Sequence, residues 1–342
     1  MYTENDIYHS DIERIICEDF YTFRGKTFLI TGASGLVGTA LVDTLVILNE
    51  KFSLNLKLIL VSRHERKSKY DFIKIIAHDI TLSLSTDDKI DYIIHAASNT
   101  HPRLYAEQPV ETIEVNILGT LNILKLAKKN PDVRTIFLST LEVYGENANK
   151  DIFSETDIGI TNFMKTRACY PESKRLCETL CHSFIQEYGA DILIARLGYV
   201  YGPTVNLESS KADVQFLNNA LKGESIVMKS QGLQKRSYIY VFDVVSALLT
   251  LLIKGKRGET YNIASKSGNK QLKDFSTVLS EIAGIKTKFE LPSQKESLGY
   301  STVINSTLDN SKLCSIGWSE NFTFEEGVQH TFAIKKETLK NA

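Results

Sequence analysis

The apolar positions set a rhythm that holds from Lys26 to Pro203 and then fails. "KTFLI" (26–30), "LKLILVS" (56–62), "IKIIAHDI" (73–80), "DYIIHAAS" (91–98), "RTIFLST" (134–140) and "DILIARLGYVYG" (191–202) are short apolar, β-branched runs. Between them, "GTALVDTLVILNE" (38–50), "PVETIEVNILGTLNILKLAKK" (109–129) and the segment 171–188 have apolar positions recurring at helical spacing. Runs apolar on both faces, alternating with amphipathic helices, predict an α/β fold: a doubly wound parallel sheet covered on both sides. In such sheets ligands gather at the carboxyl ends of the strands. After Pro203, "NLESSKADVQFLNNALKGESIVMKSQG" mixes a polar loop, a helix and a short strand. "RSYIYVFDVVSALLTLLIKG" (236–255) predicts a strand and a helix returning to the sheet, and "ETYNIAS" (259–265) one more strand. The expected division is an N-terminal helical extension, 1–25; a main domain, 26–203, to which 234–265 returns; and a smaller region, 204–233 and 266–342, closing over the ligand edge. In the extension, Ser10 and Glu13 of "SDIE" have capping-box spacing, and Ile12, Ile15 and Ile16 give a short amphipathic helix.

Composition removes several classes of function. A formal net charge of -1 over 342 residues leaves no basic excess to attract nucleic acid or anionic lipid. The start, "MYTENDIYHSDIERIICEDF", does not read as a secretory signal. No apolar run approaches the ~18 residues needed to span a bilayer, and "VVSALLTLLI" reads as a buried helix. Five cysteines, Cys17, Cys169, Cys177, Cys181 and Cys314, lack framework spacing. They predict reduced thiols in a cytoplasmic protein. Cys177 and Cys181 fall with Phe184 and Tyr188 on one apolar helical face, and without a second ligand pair no metal is expected.

The first strand runs into "TGASGLVG" (31–38). Gly32, Gly35 and Gly38 give a tight turn, close backbone approach to a pyrophosphate, and close helix–strand packing. Ser34, Leu36 and Val37 complete the turn, and the helix start offers free N–H groups to phosphate. The second strand ends at Ser62, followed by Arg63, Arg66 and Lys67. An acid there would grip the ribose 2′-hydroxyl of NAD. A hydroxyl with guanidinium groups favours the 2′-phosphate of NADP; the alternative is a solvated basic turn serving NAD. Asp79, with Ile80 after the third strand, is placed to meet an adenine edge or to cap a turn.

"TRACYPESKRLCETL" (166–180) sets Tyr170 one helical turn from Lys174. "TGASGLVG", "HAAS", "NILGT", "LSTLEVYG", "CYPESK" and "RSYIYVFD" occur in the order and spacing of the extended short-chain dehydrogenases/reductases, the nucleotide-sugar epimerases, dehydratases, decarboxylases and reductases. The chain resembles them from residue 24 to 330. The resemblance implies a Rossmann-type fold with a C-terminal substrate-binding region, and a cofactor site completed by Ala96, Ala97, Ser98 and Asn116. It makes Tyr170 the acid/base, tuned by Lys174, which also holds the nicotinamide ribose. Thr140 would hydrogen-bond the reacting oxygen, and dimerisation would use helices such as 108–129 and 171–188. Bringing a tyrosine from a pKa near 10 to about 7 needs roughly 4 kcal/mol of differential stabilisation.

The stretch "STLEVYG" bears on the reaction. Dehydratases of the family read Thr-Asp-Glu where this chain has Thr140, Leu141 and Glu142, and leucine cannot donate the proton that expels a hydroxyl. Glu142 remains as a base or substrate contact, or as a structural carboxylate. The motifs are most similar to UDP-glucuronate decarboxylases, in which Arg236 would meet a nucleotide diphosphate or an acidic sugar. Two departures, Ser62-Arg63 in place of an acid and Tyr199 where asparagine is frequent, point to altered substrate handling. An NADPH-dependent reductase of a nucleotide-linked keto sugar and a 4-epimerase are the alternatives. A catalytically silent cofactor-binding regulator is opposed by the intact Thr140, Tyr170 and Lys174.

Overall fold

The computed structural model describes residues 2–65, 67–100, 102–146, 150–290 and 305–341. The strands are β1 (Thr27–Thr31), β2 (Lys57–Ser62), β3 (Ile73–Ala77), β4 (Tyr92–His95), β5 (Arg134–Thr140), β6 (Ile152–Phe153), β7 (Asp191–Leu197), β8 (Tyr199–Tyr201), β9 (Ile226–Met228), β10 (Lys235–Tyr240), β11 (Thr260–Ile263), β12 (Asn269–Gln271), β13 (Thr287–Phe289) and β14 (Asn305–Leu308). The main helices are α1 (Asp6–Ile15), α2 (Leu36–Phe52), α3 (Pro102–Glu107), α4 (Pro109–Lys128), α5 (Cys169–Tyr188), α6 (Ala212–Lys222), α7 (Val241–Lys254) and α8 (Leu272–Ala283), with a C-terminal helix Phe324–Lys340.

Seven parallel strands form one sheet in the order β11-β7-β5-β4-β1-β2-β3. β1 is buried throughout, as its unbroken apolar run requires. Crossovers to either side of β1 place the reversal of strand order between β1 and β4, where loops from both part. α4 opens on Pro109, which needs no intrahelical donor there, and α5 closes at Gly189 in the left-handed conformation, φ +67°. Cys177, Cys181 and Phe184 pack with Phe137 and Ile194 beneath α5, as their spacing predicted.

Two expectations are corrected. The run 191–202 is two strands, broken at Gly198, where a Cβ would stand 2.5 Å from the Ser237 carbonyl oxygen. β8 therefore leaves the large sheet to pair with β10, and β10 with β12 and β14; β14 also pairs with β6. Thus β10 belongs to a second sheet, and of the 234–265 return only α7 and β11 rejoin the first body. The second correction is at the amino end: α1 is capped by Asn5, whose side chain accepts from the Tyr8 amide, while Ser10 lies within the helix.

The extension is tied to both bodies. Tyr8 donates to Asp43 on α2 (2.7 Å), Tyr240 donates to Asp11 (2.7 Å), and Asn5 donates to Glu337 on the C-terminal helix (2.7 Å). Among the described residues, no helix is long and apolar enough to cross a membrane.

Candidate active site

The loops at the carboxyl ends of β1, β4 and β5 converge with the start of α5. Gly32 takes φ +69°, and a Cβ on it would lie 2.7 Å from Ala96 backbone atoms. A Cβ on Gly38 would lie 2.1 Å from the Gly32 carbonyl oxygen. Gly35 caps α2, and Ser34, Leu36 and Val37 follow the turn into its first residues. This is a cradle that side chains would fill, set against the positive end of a 17-residue helix, and it fits a dinucleotide pyrophosphate.

Behind the turn lies a histidine whose role the sequence left unread. His95 is buried, its Nδ1 2.8 Å from Thr31 Oγ1 and its Nε2 3.2 Å from Thr120 Oγ1. Burial, then the Lys174 charge, push its pKa down to about 3, so the ring is neutral. Thr31 Oγ1 also accepts from the Ala97 amide at 3.1 Å, so the Thr31 hydroxyl links the β4 loop to the imidazole. Ala96 and Ala97 are fixed by this lattice. Ser98 donates to Asn116 Oδ1 (2.7 Å), and Asn116 donates to Ser173 Oγ (2.8 Å), which in turn donates to the Tyr170 carbonyl (3.0 Å). Asn116 therefore couples the β4 loop to α5.

Tyr170 and Lys174 are both buried on the inner face of α5. Lys174 Nζ donates to the Leu138 carbonyl at 2.9 Å and lies 4.9 Å from the centre of the Phe137 ring. Burial lowers its pKa to about 8. Burial drives the Tyr170 pKa well above the ordinary phenol value, and Glu142 pushes the same way. Hydrogen bonding with Thr140, the Arg167 charge and hydrogen bonding with Tyr105 pull it back. The Lys174 ammonium is directed to the Leu138 carbonyl, and the charges of Glu142 and Arg167 act on Tyr170.

Glu142 is held by Arg167 in a forked pair, 2.7 and 3.0 Å, rather than by backbone donors. Burial opposes the Arg167 charge, and Glu142 more than offsets it, so the Arg167 pKa is raised. Leu141 is packed with Val143, Tyr144 and Phe153. Burial lowers the Arg236 pKa, Arg167 adds to that, and the Tyr238, Tyr199 and Glu142 charges oppose it. Tyr199 donates to Asp213 at 2.8 Å. Tyr105 and Arg167 were not singled out from the sequence. Tyr105 reaches the site through contacts of α3 with the start of α5, which no local pattern carries, whereas Arg167 opens the run "RACYPESKR".

The ends of β2 and β3 are plainer. Ser62 closes β2, its Oγ accepting from the His64 amide at 3.4 Å, and Arg63 is exposed; Arg66 lies outside the described residues. Asp79 accepts from the amide and hydroxyl of Thr81 (2.9 and 2.8 Å), and these bonds lower its pKa, so it caps a turn. Ile80 packs against Gly119 of α4. Among the described residues no group of three His, Cys, Asp or Glu side chains could hold a metal ion.

The model of the NAD dependent epimerase/dehydratase family matches residues 28–264. The chain belongs to the NAD dependent epimerase/dehydratase family. It is 36% identical over 234 residues to UDP-glucuronic acid decarboxylase 6 of Arabidopsis thaliana, covering 66% of this chain and 65% of that protein. It is 28% identical over 323 residues to UDP-glucuronic acid decarboxylase 1 of Xenopus tropicalis, covering 92% and 73%. The solved UDP-glucose 4-epimerase of Thermotoga maritima, with UDP-glucose, superimposes with a TM-score of 0.77 at 25% identity, covering 92% of this chain and 99% of that one. The dTDP-glucose 4,6-dehydratase of Bacillus anthracis, in complex with NAD, shares the fold at 20% identity and a TM-score of 0.75, covering 92% and 98%.

Proposed function

We propose that the protein converts a UDP-linked uronic acid to the corresponding pentose by oxidation at C4, decarboxylation and reduction. The observation that carries this reading is the Tyr170–Thr140 pair set beside two guanidinium groups, Arg167 and Arg236, in a chain similar to UDP-glucuronic acid decarboxylases. Bound NAD or NADP, held by Gly32 to Gly38, Ser62, Ala96 to Ser98 and Lys174, supplies hydride acceptance and return. Tyr170 takes the C4 hydroxyl proton and later restores it, and Thr140 orients that oxygen. A C4 ketone stands β to the C6 carboxylate, so carbon dioxide leaves and the electron pair is held as an enolate until C5 is protonated. Arg236 neutralises the diphosphate or carboxylate, and Arg167 holds the Glu142 carboxylate in a forked pair near the phenol. Leu141 offers no proton to expel a hydroxyl, so no 4-keto-6-deoxy product is expected from UDP-glucose. The described residues of the second sheet, of 204–233 and of 266–290 form the substrate side, with Tyr199 positioned by Asp213. The test is UDP-glucuronate with the purified protein, followed by NMR, with and without NADPH. A UDP-pentose forming without added reductant supports the reading; unchanged UDP-glucuronate in both arms refutes it.

A second reading, net reduction of a keto sugar with NADPH, is favoured by one feature: Ser62 and Arg63 stand where NAD sites carry an acid. The 2′-phosphate fits that end of β2, so NADP is the preferred cofactor. Calorimetric titration with both dinucleotides tests this, and a lower Kd for NAD overturns it. Val110, Ile113 and Leu118 on α4 and Leu176 on the neighbouring α5 are exposed apolar side chains, which suits a homodimer packed helix on helix. Leu176→Asp should then shift the mass measured by light scattering to that of a monomer.

A further inference from the structure

Tyr105 lies in none of the motifs that define the site, yet it touches the proposed acid/base. Its ring centre is 4.7 Å from that of Tyr170, with the planes 15° apart. Both rings are buried, at 3% and 7% exposure, and with Cys169 they form a small cluster of their own. The stack is built from outside as well as within. Cys169 Sγ donates to the Tyr105 carbonyl at 3.8 Å, the Arg167 guanidinium lies 5.6 Å from the centre of the Tyr105 ring, and the Arg103 amide donates to Ser210 Oγ at 3.3 Å, tying α3 to the loop before α6. Parallel rings at this spacing are offset-stacked, which lets two para hydroxyls lie side by side.

We infer that Tyr105 is a positioning residue for Tyr170: its ring holds the Tyr170 rotamer, and its hydroxyl donates to the Tyr170 oxygen when the proton has left. The inference rests on Tyr170 being the acid/base. The groups facing Tyr170 are Thr140 at the end of β5, Glu142 just beyond it, Arg167 before α5, Cys169 and Lys174 on α5, and Tyr105 on α3. Glu142 disfavours the phenolate; Thr140, Arg167 and Tyr105 favour it. A donor to an oxyanion stabilises it more than a neutral acceptor, so the Tyr105 hydroxyl acts on ionisation rather than on folding.

Tyr105→Phe keeps the ring and removes the donor. The ionisation of Tyr170 is read directly, as the near-ultraviolet phenolate absorbance of the protein saturated with NAD minus that of the same protein carrying Tyr170→Phe. Tyr105→Phe should raise the midpoint by about one pH unit, a tenfold weaker acid. If UDP-glucuronate is turned over, the acid limb of kcat/KM moves the same way with KM little changed. Because the absorbance titration uses no sugar, a failed substrate assignment leaves it informative. An unmoved midpoint in Tyr105→Phe overturns the inference, as does a shift seen in Tyr105→Leu alone, since that would leave only packing.

Discussion

Alanine at Gly38 separates the roles of the three glycines that precede and open α2. A Cβ there meets the Gly32 carbonyl oxygen at 2.1 Å, the Ala33 Cα at 2.7 Å and the Gly32 carbonyl carbon at 2.9 Å. All three are backbone atoms, so no side chain can swing aside. Non-bonded carbon contacts are comfortable near about 3.5 Å, so turn and helix must part by more than roughly 1 Å. Overpacking of this kind costs up to about 3 kcal/mol, a Tm lower by roughly 5–10 °C. The same movement draws the amides of the α2 start away from phosphate, so NAD affinity should fall at least about tenfold, or ~1.4 kcal/mol. Gly35 is the control: its Cβ would meet only the Gly32 oxygen, at 3.3 Å, with φ at -80°. Gly35→Ala should melt close to wild type and lose dinucleotide affinity through obstruction alone. Paired thermal melts and calorimetric titrations read both quantities. A Gly38→Ala protein that melts and binds NAD like wild type would refute the packing argument.

Tyr170→Phe should abolish turnover of UDP-glucuronate while leaving dinucleotide affinity within about twofold of wild type, measured by calorimetry. Arg196→Met leaves Glu178 as a buried charge without its forked partner and should cost about 3–5 kcal/mol in urea unfolding; the double variant with Glu178→Leu should recover most of that. Asp43 carries a pH signature: burial raises its pKa from 3.8 to about 6, so the folded state binds the proton more tightly than the unfolded chain. Stability from this group is therefore full below 3.8 and is lost as pH rises through about 6. The advantage of Asp43→Asn over wild type should accordingly grow across that window in Tm measurements, and a constant difference would refute the assignment.

The α/β rhythm, the glycine turn and α5 were legible because each is signalled locally, by apolar period, by the need for space at Gly32 and Gly38, and by the left-handed cap at Gly189. The break at Gly198 was not. Its cause is the Ser237 carbonyl, distant in sequence, and an apolar run such as 191–202 looks the same whether it serves one sheet or two. β10 was misassigned for the same reason, since a strand's partners are set by topology and not by its own residues. At the candidate site, motif spacing singled out Tyr170, Thr140 and Asn116, and in the structure these three residues lie together. Tyr105, Arg167 and His95 acquire their roles only when separate loops meet. Of the two roles the sequence offers Asp79, an adenine contact or a turn cap, the structure shows the cap, with bonds from the amide and hydroxyl of Thr81.

The charged core beside the site argues for a rigid reaction platform joined to the second sheet. Ser139 precedes Thr140 on β5 and points to the opposite face, where it donates to Glu178 at 2.5 Å. Glu178 is forked by Arg196, which donates onward to the Glu155 carbonyl at 2.9 Å. Glu155 accepts from the Asn262 amide at 2.8 Å, while the Asn262 side chain accepts from Tyr144 at 2.6 Å and donates to the carbonyls of Phe153 and Asp309. One connected set of bonds therefore runs from α5 and β5, which carry Tyr170 and Thr140, through β7 and β11 to β6 and the residue after β14. A hydrophobic core of the same volume would be as stable or more so. What the polar set adds is direction: its donors and acceptors are matched in place, so the strand end bearing Thr140 and the small sheet next to it resist sliding independently. That constraint is the one a proton transfer between Tyr170 and a sugar hydroxyl needs, because a misplacement of about 1 Å can cost a hundredfold in rate.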